Sequence, residues 1–305
     1  MARLTPAPIL PSVGGTTVEL GPGDDAAVLG TPDGRVVVTT DLLVDGRHFR
    51  RDWSTGYDVG RKAAAQNLAD VAAMGAVPTG LLLGLACPPD LAVEWAESVA
   101  DGLRDECAPL GASVLGGDVV RGDVLTLACT ALGDLQGRAP VTRSGARAGD
   151  VVAYTGRLGW AAAGLAVLAR GFRSPVSVVG AHRRPEPPYP EGPRAAVLGA
   201  TAMVDVSDGL VADLQHVAVA SEVGIELDTT RLEVPDRLRD VGSALGADPL
   251  DWLLAGGDDH ALAATFPPDA ALPEQWRVIG RVARGRGVLV DGAPYASAGW
   301  DHFAQ

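Results

Sequence analysis

Short β-branched runs alternate with longer helical periods along the first half of the chain. The run 35–41, RVVVTTD, predicts a strand, and 57–74 predicts a helix closed by Gly75 with Pro78 just beyond. TGLLLGLAC (79–87) predicts a buried strand, and the amphipathic stretch 90–111 predicts a helix ending at Gly111. ASVLGGD and VLTLACTALG predict two strands around a tight acidic turn. The polar stretch 143–150, RSGARAGD, predicts a connector, and a second alternation follows it. VVAYTG predicts a strand, LGWAAAGLAVLARG a helix, and 171–193 a Pro-rich loop. MVDVSDGLVADLQHVAVASEVG predicts strand, turn and helix, and HALAATF, WRVIGRV and GVLVDG predict three further strands. The layout is α/β (α+β) in two domains, 1–142 and 143–305.

Composition narrows the class. A chain of 305 residues, 47% hydrophobic and 21% charged, can bury two cores. Its net charge of −13 argues against a nucleic-acid binder, which needs a basic surface. No apolar run approaches the ~20 residues of a spanning helix, so no membrane partner is expected. The N-terminal stretch lacks the long apolar region of a signal peptide. Three cysteines, Cys87, Cys107 and Cys129, without paired spacing argue against a disulfide framework or a zinc site and suit a reducing cytoplasm.

The acidic residues carry the candidate chemistry. Gly-flanked or strand-terminal acids recur as GDD (23–25), TTD (39–41), GGD (116–118), DVSDG (205–209) and GGDD (256–259). Asn67 and Asp70, spaced i,i+3, share one face of the first helix. Turn chemistry or helix capping explains any one of these motifs alone. Five at the ends of apolar strands exceed what a fold needs, and strand ends are where α/β proteins build sites. Oxygen ligands without His or Cys suit a hard cation, Mg²⁺ first. Mg²⁺ keeps waters and bridges carboxylates to phosphates, so the pattern points to a polyphosphate ligand. No G-x-x-x-x-G-K-[ST] loop is present, and the single lysine, Lys62, lies in a helix.

As a set, GPGDDAAVL, TTDLLVDGRHF, NLADVAAMGAVP, GGDVVRGD, TRSGARAGD, DVSDGLVADL, GGDDHAL and GWDHF run from residue 21 to 303. In that order they resemble the thiamine-monophosphate kinase family, of the superfamily that includes aminoimidazole ribonucleotide synthetase. The resemblance implies a two-domain synthetase-like fold. Its N-terminal mixed sheet forms a barrel-like interface in a homodimer and binds nucleotide and metal; its C-terminal part is an α/β sandwich. It implies transfer of the ATP γ-phosphoryl group to thiamine monophosphate, assisted by several Mg²⁺ ions, with no general base. It implies Mg²⁺ ligation by Asp25, Asp41, Asp70, Asp118, Asp205 and Asp208, supported by Thr39 and Thr40. Gly117, Asp118, Arg143 and Ser207 resemble nucleotide contacts, and His48, Asp258 and Trp300 resemble substrate contacts. A linker ion pair for Arg143, a structural His48 and a core plug at Trp300 are the competing readings. The family commonly has GEDYEL where this chain has GDDHAL, so His260 replaces an aromatic and Asp258 a Glu. The rival functions are another ATP-using enzyme of the superfamily and a non-catalytic nucleotide- or metal-binding paralogue.

Overall fold

A computed structural model describes residues 17–20 and 28–295. The chain divides into two compact units, Met1–Ala72 with Ala76–Ala139, and Ala73–Gly75 with Pro140–Gln305. Asp25 and Trp300 lie outside the described residues.

The first unit opens with an antiparallel pair, β1 (Thr17–Leu20) and β2 (Val28–Gly30). Then come β3 (Val37–Val44), α1 (Gly56–Ala73), β4 (Val77–Cys87), α2 (Val93–Cys107), β5 (Ser113–Arg121) and β6 (Thr126–Asp134). Strands β3 to β6 form one sheet in the order β3-β6-β4-β5, parallel only between β4 and β5. Helix α1 starts from a reciprocal cap. The Asp58 carboxylate accepts from Thr55 N (3.0 Å), and Thr55 Oγ1 accepts from Asp58 N (3.2 Å). The helix is Ala-rich and buried along most of its length, which suits close packing. It crosses α2 backbone to backbone: a Cβ on Gly60 would lie 2.1 Å from Val99 O, and one on Gly102 2.3 Å from Tyr57 O. The expected amphipathic helix stops at Cys107; residues Ala108–Leu110 tighten into a 3₁₀ turn closed by left-handed Gly111.

Residues Leu127, Cys129 and Ala131 of β6 are buried, while Thr126, Ala128, Thr130 and Leu132 alternate onto the other face. On that other face Val38 (55% exposed) pairs with Leu132, and Leu42 (53%) pairs with Ala128. Among the described residues this face, which also carries Thr40 and Thr130, exposes apolar side chains to solvent.

The second unit contains β7 (Val151–Thr155), α3 (Trp160–Ala169), α4 (Val176–Arg183), α5 (Glu191–Val197), β8 (Ala202–Val206), α6 (Leu210–Ser221) and β9 (Gly224–Leu227). It continues with α7 (Asp236–Leu245), α8 (Pro249–Ala255), β10 (Ala261–Phe266), β11 (Arg277–Ala283), β12 (Gly287–Val290) and β13 (Ala293–Pro294). Its seven strands run in the order β13-β12-β9-β11-β7-β10-β8, parallel only between β9 and β12. Every residue of β8 and β10 is buried, which explains their near-continuous apolar sequence. Phe266 and Trp276 meet edge to face at 5.1 Å in this core, and Trp276 Nε1 donates to Glu191 Oε2 (2.8 Å).

The stretch expected as a Pro-rich loop holds α4 and the start of α5. Pro175 is the residue before α4, extended at ψ 142°, and Pro193 sits in the first turn of α5. Both positions leave the helical hydrogen bonds intact, because first-turn N–H groups have no intrahelical partner.

Candidate acidic strand-end sites

In the first unit, α1 lays its i,i+3 pair against β3. Thr39 Oγ1 donates to Asp70 Oδ2 (2.7 Å), and Asp41 N donates to Asn67 Oδ1 (3.0 Å). Asn67 is fully buried and its Nδ2 donates to Ala63 O (2.9 Å), which fixes the amide's orientation. Asp41 stands opposite Cys129 on the helix-covered face, whereas Thr40 turns to the open face and donates to Cys129 O (2.8 Å). The sheet carries Asp118 on β5, its other edge strand, where the carboxylate accepts from Val119 N (2.9 Å). The structure therefore groups Thr39, Asp41 and Asp70 and sets Asp118 apart from them. Gly117 has a steric reason: a Cβ there would lie 2.1 Å from Leu83 O. His48 follows β3, and its Nδ1 accepts from Val44 N (3.0 Å), so the neutral ring carries its proton on Nε2.

In the second unit two acidic turns dock on each other. Asp258 N donates to Ser207 O (2.9 Å), and His260 N donates to Val206 O (3.1 Å). The backbones touch: a Cβ on Gly257 would lie 2.0 Å from Ser207 O. Asp205, the next-to-last residue of β8, is almost fully buried, its Oδ2 3.1 Å from His260 Nδ1. Asp208 and Ser207 are half-buried on the turn between β8 and α6. Asp213, in the first turn of α6, reaches back and accepts from Asp208 N and Gly209 N (both 3.0 Å). Burial, then the charges of Asp205 and Asp208, push the Asp213 carboxyl up to about 8. Asp258 Oδ2 lies 3.9 Å from Nδ1 of buried His182. Arg143 is exposed, and its carbonyl accepts from Ser221 Oγ (2.9 Å).

Among the described residues no group of three His, Cys, Asp or Glu side chains forms a metal cage. The donor set still fits Mg²⁺, which takes one or two carboxylates and completes its octahedron with water and phosphate oxygen. Asp70 and Asp118, whose carboxylates accept from the Thr39 hydroxyl and the Val119 amide, suit that role. Sequence reasoning passed over Asp213 and His182, and named His260 only as a departure from the family pattern. Asp213 had a signal, an acid in the first turn after SDG, whereas the two histidines had none in spacing.

Asp259 caps α3: its Oδ1 accepts from Ala161 N (2.9 Å), while Oδ2 is buried without a hydrogen-bond partner. Burial, followed by the neighbouring Asp258 charge, pushes its carboxyl up to about 7.

Residues 23–135 match the family model described as AIR synthase related protein, N-terminal domain, and residues 147–292 match the one described as AIR synthase related protein, C-terminal domain. A thiamine-monophosphate kinase of Mycobacterium tuberculosis is 49% identical, covering 95% of this chain and 87% of that protein. One from Corynebacterium glutamicum is 42% identical, covering 92% and 88%. A solved structure described as AaThiL complexed with AMPPCP and TMP superposes with a TM-score of 0.85 at 34% identity, covering 92% of this chain and 91% of that one.

A carboxyl raised in the folded state is protonated there while it is ionised in the unfolded chain. Its burden on stability therefore grows as pH rises from about 4 to about 7. Asp259→Asn is expected to remove that slope, gaining on wild type by about 1–3 kcal/mol between pH 5 and 8 in urea unfolding. An equal slope in both proteins would contradict the burial of an ionisable Asp259.

Proposed function

The chain belongs to the thiamine-monophosphate kinases of the AIR synthase related family, and we propose that it transfers the γ-phosphoryl group of ATP to thiamine monophosphate, giving thiamine pyrophosphate and ADP. The observation that carries this reading is the set of acidic residues gathered in each unit, with Asp70 held by Thr39 and the Asp208 turn held by Asp213, on a chain 49% identical to a kinase of that name.

The acceptor is a phosphate monoester with a second pKa of about 6, largely dianionic at neutral pH. It needs no base to remove a proton, and no side chain is assigned that task. The obstacle is the meeting of two polyanions; bound Mg²⁺ supplies the charge neutralisation and orients phosphate oxygens for in-line displacement.

In the first unit Asp41 and Asp70, with Thr39 in support, would hold one Mg²⁺. Asp118 would serve a separate position on β5. Thr40 would contribute through its backbone carbonyl, since its hydroxyl turns to the open face, and Asp25 would join them. In the second unit Asp205 and Asp208 would hold Mg²⁺. The chain's task is to hold these oxygens still before the ligands arrive, so that little reorganisation is left for the reaction. The Thr39 hydroxyl fixes Asp70, Asn67 fixes the backbone at Asp41, and Asp213 fixes the turn that carries Ser207 and Asp208. Gly117, Arg143 and Ser207 would meet nucleotide phosphates, the Arg143 guanidinium in a bidentate way. His48, Asp258 and Trp300 would contact thiamine monophosphate. With no helix among the described residues long and apolar enough to cross a membrane, and with free thiols at Cys87, Cys107 and Cys129, the proposed place of action is the cytoplasm.

A homodimer is part of the proposal. The open face carrying Val38, Leu42 and Leu82 gains most by pairing with its own copy, since solvating apolar strands costs free energy.

Purified protein given ATP, Mg²⁺ and thiamine monophosphate is expected to form thiamine pyrophosphate, read by chromatography. Asp70→Asn and Asp205→Asn should each lower turnover by about 100-fold or more with circular dichroism unchanged. No product at millimolar Mg²⁺ would overturn the kinase reading, and a wild-type rate in either variant would remove that residue from the ligand set. Sedimentation should give twice the 31.2 kDa chain mass, and Leu42→Glu should shift it to one. A wild-type monomer would refute the pairing.

A further inference from the structure

His260 stands where two constraints meet. Its main chain is left-handed, at φ +53°, as is that of Asp258 at +67°. Two backbone hydrogen bonds to the β8 turn, from Asp258 N and His260 N, over-determine this conformation. His and Asp tolerate the left-handed region far better than branched or bulky residues do. The consequence is a buried imidazole, 4% exposed, whose Nδ1 lies 3.1 Å from Oδ2 of Asp205, itself 3% exposed.

An ionised carboxylate this deeply buried needs a donor. The amides of Asp208 and Gly209 are already committed to Asp213. The imidazole Nδ1–H supplies one. It is attached to Cγ, so its reach from the main chain is short. A Phe at this position carries no donor, and a Tyr hydroxyl lies at the far end of its ring.

We propose that His260 is a positioning residue for Asp205. The Nδ1–H bond to Oδ2 fixes the rotation of the Asp205 carboxylate and thereby the direction in which its other oxygen is offered to Mg²⁺. This rests on the reading of Asp205 as a metal ligand. Partners that orient metal-bound groups change metal affinity when removed, by about 10–100-fold.

The test compares His260→Phe, which lacks the donor, with His260→Asn, whose Nδ2 sits as many bonds from the main chain as Nδ1 and whose backbone accepts the left-handed conformation. His260→Gly, free of strain at φ +53° and also donor-less, serves beside Phe in case the larger ring does not fold. Mg²⁺ is titrated against the melting temperature of the full chain with a non-hydrolysable ATP analogue, and separately against turnover. The donor-less variants should raise the Mg²⁺ midpoint about tenfold in both titrations, with the smaller loss in kcat, and Asn should stay within about threefold of wild type. Donor-less variants with a wild-type midpoint, or Asn and Phe moving equally, would overturn the proposal. Asp205→Asn in the same melting titration separates the two readings. If it leaves the midpoint unmoved, Asp205 is not a ligand and both ideas fall. If it moves the midpoint and the donor-less variants do not, only the positioning role falls.

Discussion

The docking of the SDG turn against the GGDDH turn governs the second unit. Two main-chain hydrogen bonds and a glycine contact with no room for a methyl join the turns carrying Ser207, Asp208, Asp258, Asp259 and His260, beside Asp205 of β8 and Asp213 of α6. Five carboxylates around two turns are an electrostatic liability. Burial and mutual repulsion raise Asp213 and Asp259 well above the usual carboxylate range. Strand pairing supplies the compensation: β10 zips to β8 from Ala261–Val206 onward, and the fully buried apolar residues of both strands hold the turns together. A stable scaffold thereby carries a locally unfavourable charge distribution, which a divalent cation with its phosphates would neutralise.

The first unit reaches a similar end by a different route. Close approach of α1 and α2 through Gly60 and Gly102 sets one helical layer. From it Asn67 and Asp70 meet β3 at Asp41 and Thr39. In both units a carboxylate or its backbone is fixed by a neighbouring side chain: Asp70 by Thr39 and the backbone at Asp41 by Asn67 in one, the Asp208 turn by Asp213 and Asp205 by His260 in the other. Preorganisation of this kind leaves positioning and electrostatics to perform the chemistry.

The Gly-Asp turns at Asp208 and Asp258 were legible because their signals are local (an apolar run, a glycine, an acid), whereas Asp41 and Asp118, expected at strand ends, lie inside strands that run on to Val44 and Arg121. The i,i+3 pair Asn67–Asp70 was legible for the same reason, since helical geometry alone puts both on one face. Helices α4 and α5 were hidden by prolines, which crowd the helix edges, where they cost little. The partnership of His260 with Asp205 was not legible. It joins residues 55 positions apart and arises from a left-handed turn conformation that no spacing encodes. The separation of Asp118 from Asp41 was equally hidden, because it depends on the strand order β3-β6-β4-β5 rather than on sequence distance.

The central claim is that these hydrogen-bonded carboxylates take divalent cations together with nucleotide phosphates. Anomalous diffraction from crystals grown with Mn²⁺ and a non-hydrolysable ATP analogue tests it directly. The account predicts Mn²⁺ peaks within about 2.2 Å of carboxylate oxygens of Asp205 or Asp208, and of Asp41 or Asp70, with phosphate oxygens completing the coordination. Nucleotide bound with its metal held by phosphates and water alone, remote from both sets of carboxylates, would contradict it.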